Sequence, residues 1–399
     1  MSTMLRDNNF LGRKSAFILI LALIFVFFTS CSNIGIFQNG GLVIAVPGSR
    51  SVSESTVFTV TVADAAGNKQ NKTVVAGGSA QFENLLPGLY SIGVEGKESD
   101  ISTMYGVAEV SVAAGKTATA SIALSTVAHS LDALQQLIKK GGTVYIGSDI
   151  DIRGDSGLEV IKNKVHLVAL KDVVLRNNVD APGLTVQDSK VTLGGGEYTL
   201  TLDGNDKGQY GVSVTDGTLI LEKNAIITNC SKSGVYLSKA DFTMNGGIIS
   251  ENAATSGGGV YIEEGSFIMN DGSITANELF NSGTSYGGGI YIEKGDFTMN
   301  GGFITNNTKG INQGGGIWVA ETGDFTMTNG TITGNTAGLG GGVYLYGLPD
   351  EGSDKATCTL NGGTITGNSS ASGEGADIYA ENTTFTNNGA TVGDVAPRQ

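Results

Sequence analysis

The feature that most constrains the fold is a motif that recurs through the C-terminal half of the chain. It is seen most fully in GGGVYIEEGSFIMNDGSITAN, residues 257–277. Its first apolar residue returns at intervals of 25, 30, 27, 26 and 35 residues, at Val235, Val260, Ile290, Ile317, Val343 and Ile378. These intervals are too long for one strand and indicate a repeated supersecondary unit. Units of this kind bury their apolar faces against each other, which predicts a solenoid.

Each unit contains three short extended pieces separated by Gly, Asn, Asp or Ser, the residues of turns. The pieces read VYI, then FIM or FTM, then SIT or FIT. In a strand, alternate side chains point to opposite faces, so Val260 and Ile262 share an inner face and Tyr261 points outward. Phe297 and Met299 share the inner face of the second piece. Three strands per turn, with no helical pattern between them, predict a parallel β-helix.

An asparagine closes the third piece of each unit, at Asn252, Asn277, Asn307, Asn335 and Asn368. Asn tolerates the left-handed backbone of a sharp corner, and its amide can bond to the same amide one coil away. We therefore predict an asparagine ladder. Cys230 replaces this Asn and Cys358 replaces the inner Phe. The two cysteines are separated by about 24 Å, too far for a disulfide, and are predicted to be small buried apolar residues.

The repeats resemble those of a known family. GGGVY or GGGIY followed by an I-T-x-N corner is similar to the paired GGAI and FxxN repeats of the polymorphic outer membrane proteins. The similarity covers about residues 211–390, although only Phe385 to Asn388 keeps the aromatic of FxxN. It implies a right-handed coil. We predict an all-β chain in which residues 129–390 form a right-handed parallel β-helix of about ten coils, followed by a tail at 391–399.

Residues 1–30 are predicted to be an export signal, because a basic start precedes the uncharged stretch SAFILILALIFVFFT. This stretch is shorter than the ~20 residues that a membrane-spanning helix needs. The sequence Phe28-Thr29-Ser30-Cys31 resembles a relaxed, spirochaete-like lipobox of bacterial lipoproteins. That resemblance implies lipidation of Cys31 and, with Ser32 following, an anchor in the outer membrane or on the cell surface. Ordinary secretory cleavage and an uncleaved anchor are the alternatives.

Residues 31–40 are predicted to be a tether and residues 41–126 an antiparallel β-sandwich, because short alternating strands follow each other between tight turns. FENLLPGLYSIGV resembles the F-x-x-L-x-P-G-x-Y signature of carboxypeptidase-regulatory-like domains. The resemblance implies a spacer or stalk without catalytic residues. Phe82 and Tyr90 are expected in its core.

A short amphipathic helix, LDALQQLIKK, is predicted between the sandwich and the first coil. Ser130 is placed to cap its start and Gly141 to end it. A solenoid must cover its first apolar coil, and we expect this helix to do so.

The charge balance excludes one class of partner. The chain carries a formal net charge of −14, so we expect no binding to nucleic acid. Arginine and histidine are absent from residue 177 to residue 397.

The alternation predicts an outward column of six aromatic residues: Tyr236, Tyr261, Tyr291, Trp318, Tyr344 and Tyr379. Such a column could bind a glycan or a partner protein. Aromatic stacks also stabilise parallel sheets by themselves, and the loops between the pieces could cover them. Both interpretations stay open at this point.

Several polar groups were considered as chemical sites. Asp241, Asp296 and Asp324 each precede an inner Phe, and the last two would lie about 5 Å apart, as in a retaining glycosidase. No Arg or His is near them in the sequence, which favours solvated charge. Asp203, Asn205 and Asp206 place three oxygen-bearing side chains on a tight turn. The rest of a calcium-binding pattern is missing, so ordinary hydrogen bonding within the turn is favoured over a calcium site. Arg153-Gly154-Asp155 is a three-residue match to an integrin-binding tripeptide, and His129 and His166 are expected to be structural.

The sequence therefore predicts a lipid-anchored surface protein whose β-helix is a non-catalytic binding or adhesion module for a host protein or glycan. No cofactor or metal is expected. The alternatives are a carbohydrate-active enzyme, either a glycoside hydrolase or a polysaccharide lyase, and an inert envelope spacer.

Overall fold

The computed structural model describes residues 38–48, 53–280, 285–307, 313–348 and 355–396. The predicted export signal, the lipobox with Cys31 and most of the tether lie outside these ranges. The chain divides into a unit up to Gln38 and a compact unit from Asn39 to Gln399, and only the second is described below. It is all-β except for one short helix.

The N-terminal part forms two sheets. Its strands are β1 (Gly40–Ala45), β2 (Val57–Ala63), β3 (Lys69–Val75), β4 (Ser79–Leu85), β5 (Gly88–Glu98), β6 (Ile101–Val112), β7 (Thr117–Ser121) and β8 (Ser125–Ala128). One sheet has the order β4-β1-β7, and in it β1 and β7 run parallel although an antiparallel arrangement was expected. In the other, β2 pairs with β3 and β5, β5 with β6, and β6 with β8, all antiparallel.

One apolar core lies between these two sheets. It includes Leu42 and Phe82 from the first sheet and Phe58, Tyr90 and Ile92 from the second, all buried. Phe82 and Tyr90 thus occupy the core positions that the sequence predicts. The Tyr90 hydroxyl donates to the Leu86 carbonyl, so the ring is buried while its polar end has a partner.

The predicted helix, α1 (Leu131–Lys140), covers the first coil. Ser130 accepts from the Ala133 amide at its start, and the Gly141 amide donates to the last carbonyls at its end. Leu134 and Ile138 are buried in the same core as the coils. The exposed edge of the first coil strand is paired by β8, so the cap consists of both a helix and a strand.

The coils form two long faces. The ten-stranded sheet contains β10 (Ile150–Ile152), β13 (Val173–Asn177), β16 (Leu200–Asp203), β19 (Ala225–Thr228), β21 (Ile248–Ser250), β24 (Ser273–Thr275), β27 (Phe303–Thr305), β29 (Thr331–Thr333), β33 (Thr364–Ile365) and β37 (Thr391–Val392). Two small two-stranded sheets lie at the corners: β22 (Ala253–Ala254) with β25 (Glu278–Leu279), and β30 (Thr336–Ala337) with β34 (Ser369–Ser370).

The second long face is continuous with the N-terminal sheet through β8. Its coil strands are β9 (Gly142–Ile146), β11 (Leu158–Ile161), β12 (Lys164–Ala169), β14 (Leu184–Gln187), β15 (Lys190–Leu193), β17 (Val212–Thr215), β18 (Thr218–Leu221), β20 (Val235–Met244), β23 (Val260–Met269), β26 (Ile290–Met299), β28 (Ile317–Met327), β31 (Val343–Tyr346), β32 (Thr357–Leu360), β35 (Ile378–Glu381), β36 (Thr384–Asn387) and β38 (Val395–Ala396).

All neighbouring coil strands pair in parallel, which confirms the predicted right-handed parallel β-helix. It has about nine turns, where about ten coils were predicted. The stretch predicted as a tail from residue 391 instead contributes β37 and β38, which pair with β33 and β35. The solenoid therefore continues beyond the predicted boundary at residue 390.

The first two pieces of the repeat differ from the prediction in the middle coils. There they form one bent strand, as in β23 and β26, instead of two strands separated by a turn. The bend lies at glycines such as Gly295, which has φ 132° and on which a Cβ would lie 2.0 Å from the Gly265 carbonyl oxygen. Glycine thus bends the strand and lets neighbouring coils approach without ending the hydrogen-bond ladder.

The inside of the solenoid is filled by in-register columns of identical side chains. Phe242, Phe267, Phe297 and Phe325 are stacked with centroid distances of 4.4, 4.8 and 5.3 Å. Cys358 follows Phe325 in this column and is buried, as predicted. Cys230 is also buried, and burial raises the pKa of its thiol to about 12, so it stays a thiol at neutral pH.

The predicted asparagine ladder is present. The side-chain amides of Asn252, Asn277, Asn307 and Asn335 each donate to the next Asn in the column, at 2.9 or 3.0 Å. Each of those accepting oxygens also receives a backbone amide. The sequence did not reveal the last member: Asp377 accepts from both nitrogens of Asn368 and continues the column with a carboxylate.

The predicted reason for asparagine at the corner was wrong in one respect. The left-handed residue is the one before the ladder position, for example Glu251 (φ 58°), Ala276 (φ 54°) and Asn306 (φ 56°). The ladder asparagines themselves do not have positive φ. The asparagines are required for the buried hydrogen bonds. The left-handed conformation of the turn belongs to the preceding residue, whose type varies from coil to coil.

We expect Asn307→Ala to lower the free energy of unfolding by about 3 kcal/mol, because the buried backbone amide of Asn277 loses its acceptor and the Asn277 side-chain amide loses one of its two. Urea unfolding monitored by circular dichroism measures this change. Asn300→Ala is the matched control, because Asn300 also bonds between coils but is exposed. Its expected cost is below about 1 kcal/mol. Equal effects of the two substitutions would contradict the role of the buried ladder.

Candidate functional site

The six predicted aromatic residues, here called the aromatic strip, form one in-register column on the outer side of the long face. They are Tyr236, Tyr261, Tyr291, Trp318, Tyr344 and Tyr379. Inner residues flank each of them, for example Val260 and Ile262 around Tyr261. The alternation in the sequence therefore placed the column on the correct face.

Burial differs along the aromatic strip. Trp318 is 6% and Tyr344 is 1% exposed, whereas the other four members are partly exposed. Trp318 and Tyr344 form a separate apolar cluster with Ala320, outside the solenoid core. The middle of the strip is thus covered, and its two ends are accessible.

Much of the aromatic strip is a continuous stack. Tyr291 and Trp318 are nearly coplanar, with centroids 4.8 Å apart and planes at 7°, and Tyr344 and Tyr379 stack at 5.2 Å and 13°. Tyr261 is turned almost perpendicular to both of its neighbours. The stacked rings contact each other through their faces, so they present edges and hydroxyl groups outward.

Three tyrosines outside the strip extend it, although no repeated aromatic position in the sequence marks them. Tyr210 stacks on Tyr236 at 4.8 Å, and Tyr286 and Tyr346 both pack on Trp318, at 4.8 and 5.8 Å. Tyr286 comes from the corner that precedes the GGG motif, and Tyr346 from the end of β31. Both positions recur, since Tyr286 pairs with Ser256 and Gln313 and Tyr346 pairs with Glu381, but the tyrosines themselves are not repeated there. Only their proximity in the fold shows their role.

Glutamates of the next coil accept hydrogen bonds from strip tyrosines. Tyr261 donates to Glu293, and Tyr344 donates to Glu381. Burial is the main cause that raises the pKa of Tyr236 to about 12, and its hydrogen bond to Glu263 is the next largest cause. The pKa of Tyr291 is also raised to about 12, mainly by burial and next by the nearby negative charge of Glu293. The strip is therefore a neutral aromatic column bordered by carboxylates.

A cavity of about 470 Å³ opens beside the middle of the strip. It is lined by Tyr291, Trp318 and Tyr346 and by the side chains of Glu263, Glu293 and Lys294, among others. The Trp318 indole Nε1 is buried and has no hydrogen-bond acceptor among the described residues. A buried donor without an acceptor is uncommon in folded proteins.

The predicted acidic pair also lies in register. Asp296 and Asp324 occupy paired positions of β26 and β28, and both are exposed. Partial burial and the nearby Asp324 carboxylate raise the pKa of Asp296 above its usual range. Asp324 also accepts from Thr357, and Asp241 accepts from Ser266 at 2.6 Å.

The oxygen-rich turn considered for calcium is occupied by internal bonds. Asp203 accepts from the Asn205 amide at 2.9 Å and from the Asn229 side chain at 3.2 Å. Its other oxygen lies 3.7 Å from Arg176. In the described ranges, no three His, Cys, Asp or Glu side chains are grouped to hold a metal ion.

The remaining candidates have local partners. Arg153 of the Arg-Gly-Asp match pairs with Asp151 at 2.7 Å. His129 bonds to the Ser102 carbonyl at 2.5 Å, and His166 bonds to the Gly194 carbonyl at 2.8 Å. Both histidines thus link neighbouring strands or coils, in agreement with the structural role expected for them.

A second cavity, of about 930 Å³, was not predicted from the sequence. It lies between the N-terminal sheet and the first coils and is lined by Tyr105, Tyr145 and Tyr198, among others. An ion pair between Lys69 and Glu197, 3.0 Å apart, bridges its two walls. Its lining residues belong to distant, non-repeated segments, so no periodic signal marks them.

We expect the protein to lose stability between about pH 10 and pH 12. The pKa of Tyr236 and Tyr291 is about 12 in the folded state, against 10.0 for an unperturbed tyrosine, so the unfolded chain loses these protons first. Their contribution to stability is complete below pH 10 and is lost as the pH rises through 12. Urea midpoints at pH 9 and pH 11 measure the loss, which should be smaller in the Tyr236→Phe, Tyr291→Phe double variant. An unchanged pH dependence in that variant would contradict the assignment.

Comparisons with known proteins agree with the described architecture. A family model for a right-handed β-helix region matches residues 148–347, half of the chain. Searches among curated proteins and solved structures found no match. No helix within the described segments is long and apolar enough to cross a membrane. The parallel coils, the asparagine ladder and this match lead to one conclusion: the chain belongs to the right-handed β-helix family.

Proposed function

We propose that this chain is an exported, lipid-anchored surface protein whose β-helix is a non-catalytic binding module, with the aromatic strip as its binding face. The observation that carries the proposal is the cavity at the middle of the strip, where the buried Trp318 donor has no acceptor. A purely structural stack has no need for an open cavity with an unsatisfied donor. A ligand that brings an acceptor would complete the site.

The anchoring part of the proposal is supported by the sequence Phe28-Thr29-Ser30-Cys31 and the uncharged stretch before it. The N-terminal sheets would then hold the β-helix away from the membrane as a spacer, in the outer membrane or on the cell surface. The resemblance to spirochaete-like lipoproteins and to carboxypeptidase-regulatory-like domains supports this arrangement.

We expect the purified protein to bind a component of an array of glycans and extracellular-matrix proteins. The Tyr236→Ser, Tyr261→Ser double variant should bind at least tenfold more weakly, because these residues form the accessible end of the strip. About 1.4 kcal/mol corresponds to tenfold, within the range of one aromatic contact. Surface plasmon resonance measures both affinities.

Phe303→Ser is the matched control for this experiment. Phe303 is also an exposed aromatic, at 52%, but it belongs to the ten-stranded sheet. Equal losses in the control and the double variant would contradict the assignment of the face. Binding to nothing on the array would favour an inert spacer.

The alternative function is a carbohydrate-active enzyme that uses Asp296 and Asp324. The raised pKa of Asp296 beside a second carboxylate is the observation that favours it, since retaining glycosidases pair an acid with a nucleophile. This alternative predicts release of reducing ends from at least one polysaccharide, abolished by Asp324→Asn and unaffected by Asp241→Asn. Asp241 is the control because it stands in the same column, where its neighbour in the next coil is Ser266 and not a second carboxylate. Absence of turnover across a polysaccharide panel would remove the alternative.

A further inference from the structure

The pairs of tyrosine and glutamate along the strip follow one rule. In each pair the glutamate lies two residues beyond the aromatic of the next coil: Tyr236 pairs with Glu263, Tyr261 with Glu293 and Tyr344 with Glu381. The donor of one coil therefore has its acceptor at a fixed position of the next. This regular arrangement shows where an acceptor is missing.

The rule fails in the two consecutive coils around Trp318. By this rule Tyr291 should donate to the residue two positions beyond Trp318, but that residue is Ala320. Likewise, the Trp318 indole should donate to the residue two positions beyond Tyr344, but that residue is Tyr346. Neither residue supplies a carboxylate. The unsatisfied Trp318 Nε1 and the 470 Å³ cavity both lie at this interruption.

The carboxylates that line the cavity outnumber its lysines by one. Glu263 accepts from the Ser238 hydroxyl, and Glu293 from Tyr261, but neither forms an ion pair with a described cation. Glu264, Lys239 and Lys294 also line the cavity. Lys294 is 3.4 Å from Glu264, whereas Lys239 forms no ion pair with a described carboxylate. With three glutamates and two lysines, the lining carries a net charge of −1, and it adds one buried N–H donor between aromatic walls.

We infer that this cavity binds a basic residue of a polypeptide partner. The guanidinium or ammonium group pairs with Glu263 and Glu293, and a main-chain carbonyl of the same segment accepts from Trp318 Nε1–H. Aromatic rings beside the carboxylates favour a cation further. The inference rests on the proposed function, since it specifies the partner of the aromatic strip.

A polypeptide satisfies more of the cavity than a neutral sugar does. A sugar hydroxyl could accept from Trp318, but it would leave the net negative charge of the lining without a partner. The chain also carries a net charge of −14, which attracts a basic partner and repels an acidic one. The partner's contribution is therefore a positive charge together with a neutral acceptor.

Trp318 is the only tryptophan in the chain, so its fluorescence reports on this cavity alone. The probes are the acetylated, amidated peptide Ser-Gly-Arg-Gly-Ser, its analogue with Glu in place of Arg, and chitotetraose. We expect the Arg peptide to give a saturable change in emission that weakens with added salt. The Glu peptide and the sugar should give none.

Three variants locate the binding. Glu263→Gln combined with Glu293→Gln removes the charge while keeping the side-chain size, and Tyr346→Gln supplies the missing acceptor for Trp318. Each should weaken binding of the Arg peptide at least fivefold. Glu159→Gln is the control, because Glu159 is an exposed carboxylate on the same long face but outside the cavity. It should leave the affinity unchanged.

The possible results separate this inference from the proposed function. A response to chitotetraose alone, or equal responses to the Arg and Glu peptides, overturns the basic partner and leaves the strip as a binding face. Loss of Arg-peptide binding in Glu159→Gln as large as in the cavity variants overturns the location. No response to any probe, combined with array binding that depends on Tyr236 and Tyr261, also overturns the inference and not the proposed function. If array binding is absent as well, both fail.

Discussion

Parallel pairing in register is the constraint on which the rest of the structure depends. Because each strand pairs with the equivalent strand of the next coil, every side chain lies about 5 Å from its counterpart. A residue type that can bond or stack with itself is therefore favoured in each column. The Phe242 to Phe325 stack, the asparagine ladder and the aromatic strip are three results of this one condition. The ladder is the most demanding of them, because its amides are buried and must be satisfied.

The repeat made much of this predictable. The period and the alternation were enough to predict the coils, the inner face, the ladder and the face that carries the aromatic strip. The capping helix was also predictable, because Ser130 and Gly141 mark its ends by local rules. These features share one property: each depends on a pattern that is either periodic or contained within a few residues.

The features that were missed depend on contacts between non-equivalent segments. Tyr286 and Tyr346 cover Trp318 from positions where the other coils have no aromatic residue, and Asp377 enters the ladder from just before a different strand. The parallel pairing of β1 with β7 joins segments far apart in the chain. The glycine bends were misinterpreted as turns, because the sequence does not show that Gly295 lies against the backbone of the adjacent coil.

The stacking that stabilises the strip also limits how it can bind. Rings that stack on each other cannot offer the same faces to a ligand, so a uniform column would bind only through its edges and hydroxyl groups. The hydroxyls of Tyr236, Tyr261 and Tyr344 are already bonded to glutamates, which leaves little unsatisfied polar capacity there. Ala320 and Tyr346 change this locally, since they remove the acceptor and leave a donor, a cavity and uncompensated charge together. In a repeat protein the break in a ladder is therefore more informative about binding than the ladder itself, because only at the break does self-pairing leave polar groups for another molecule.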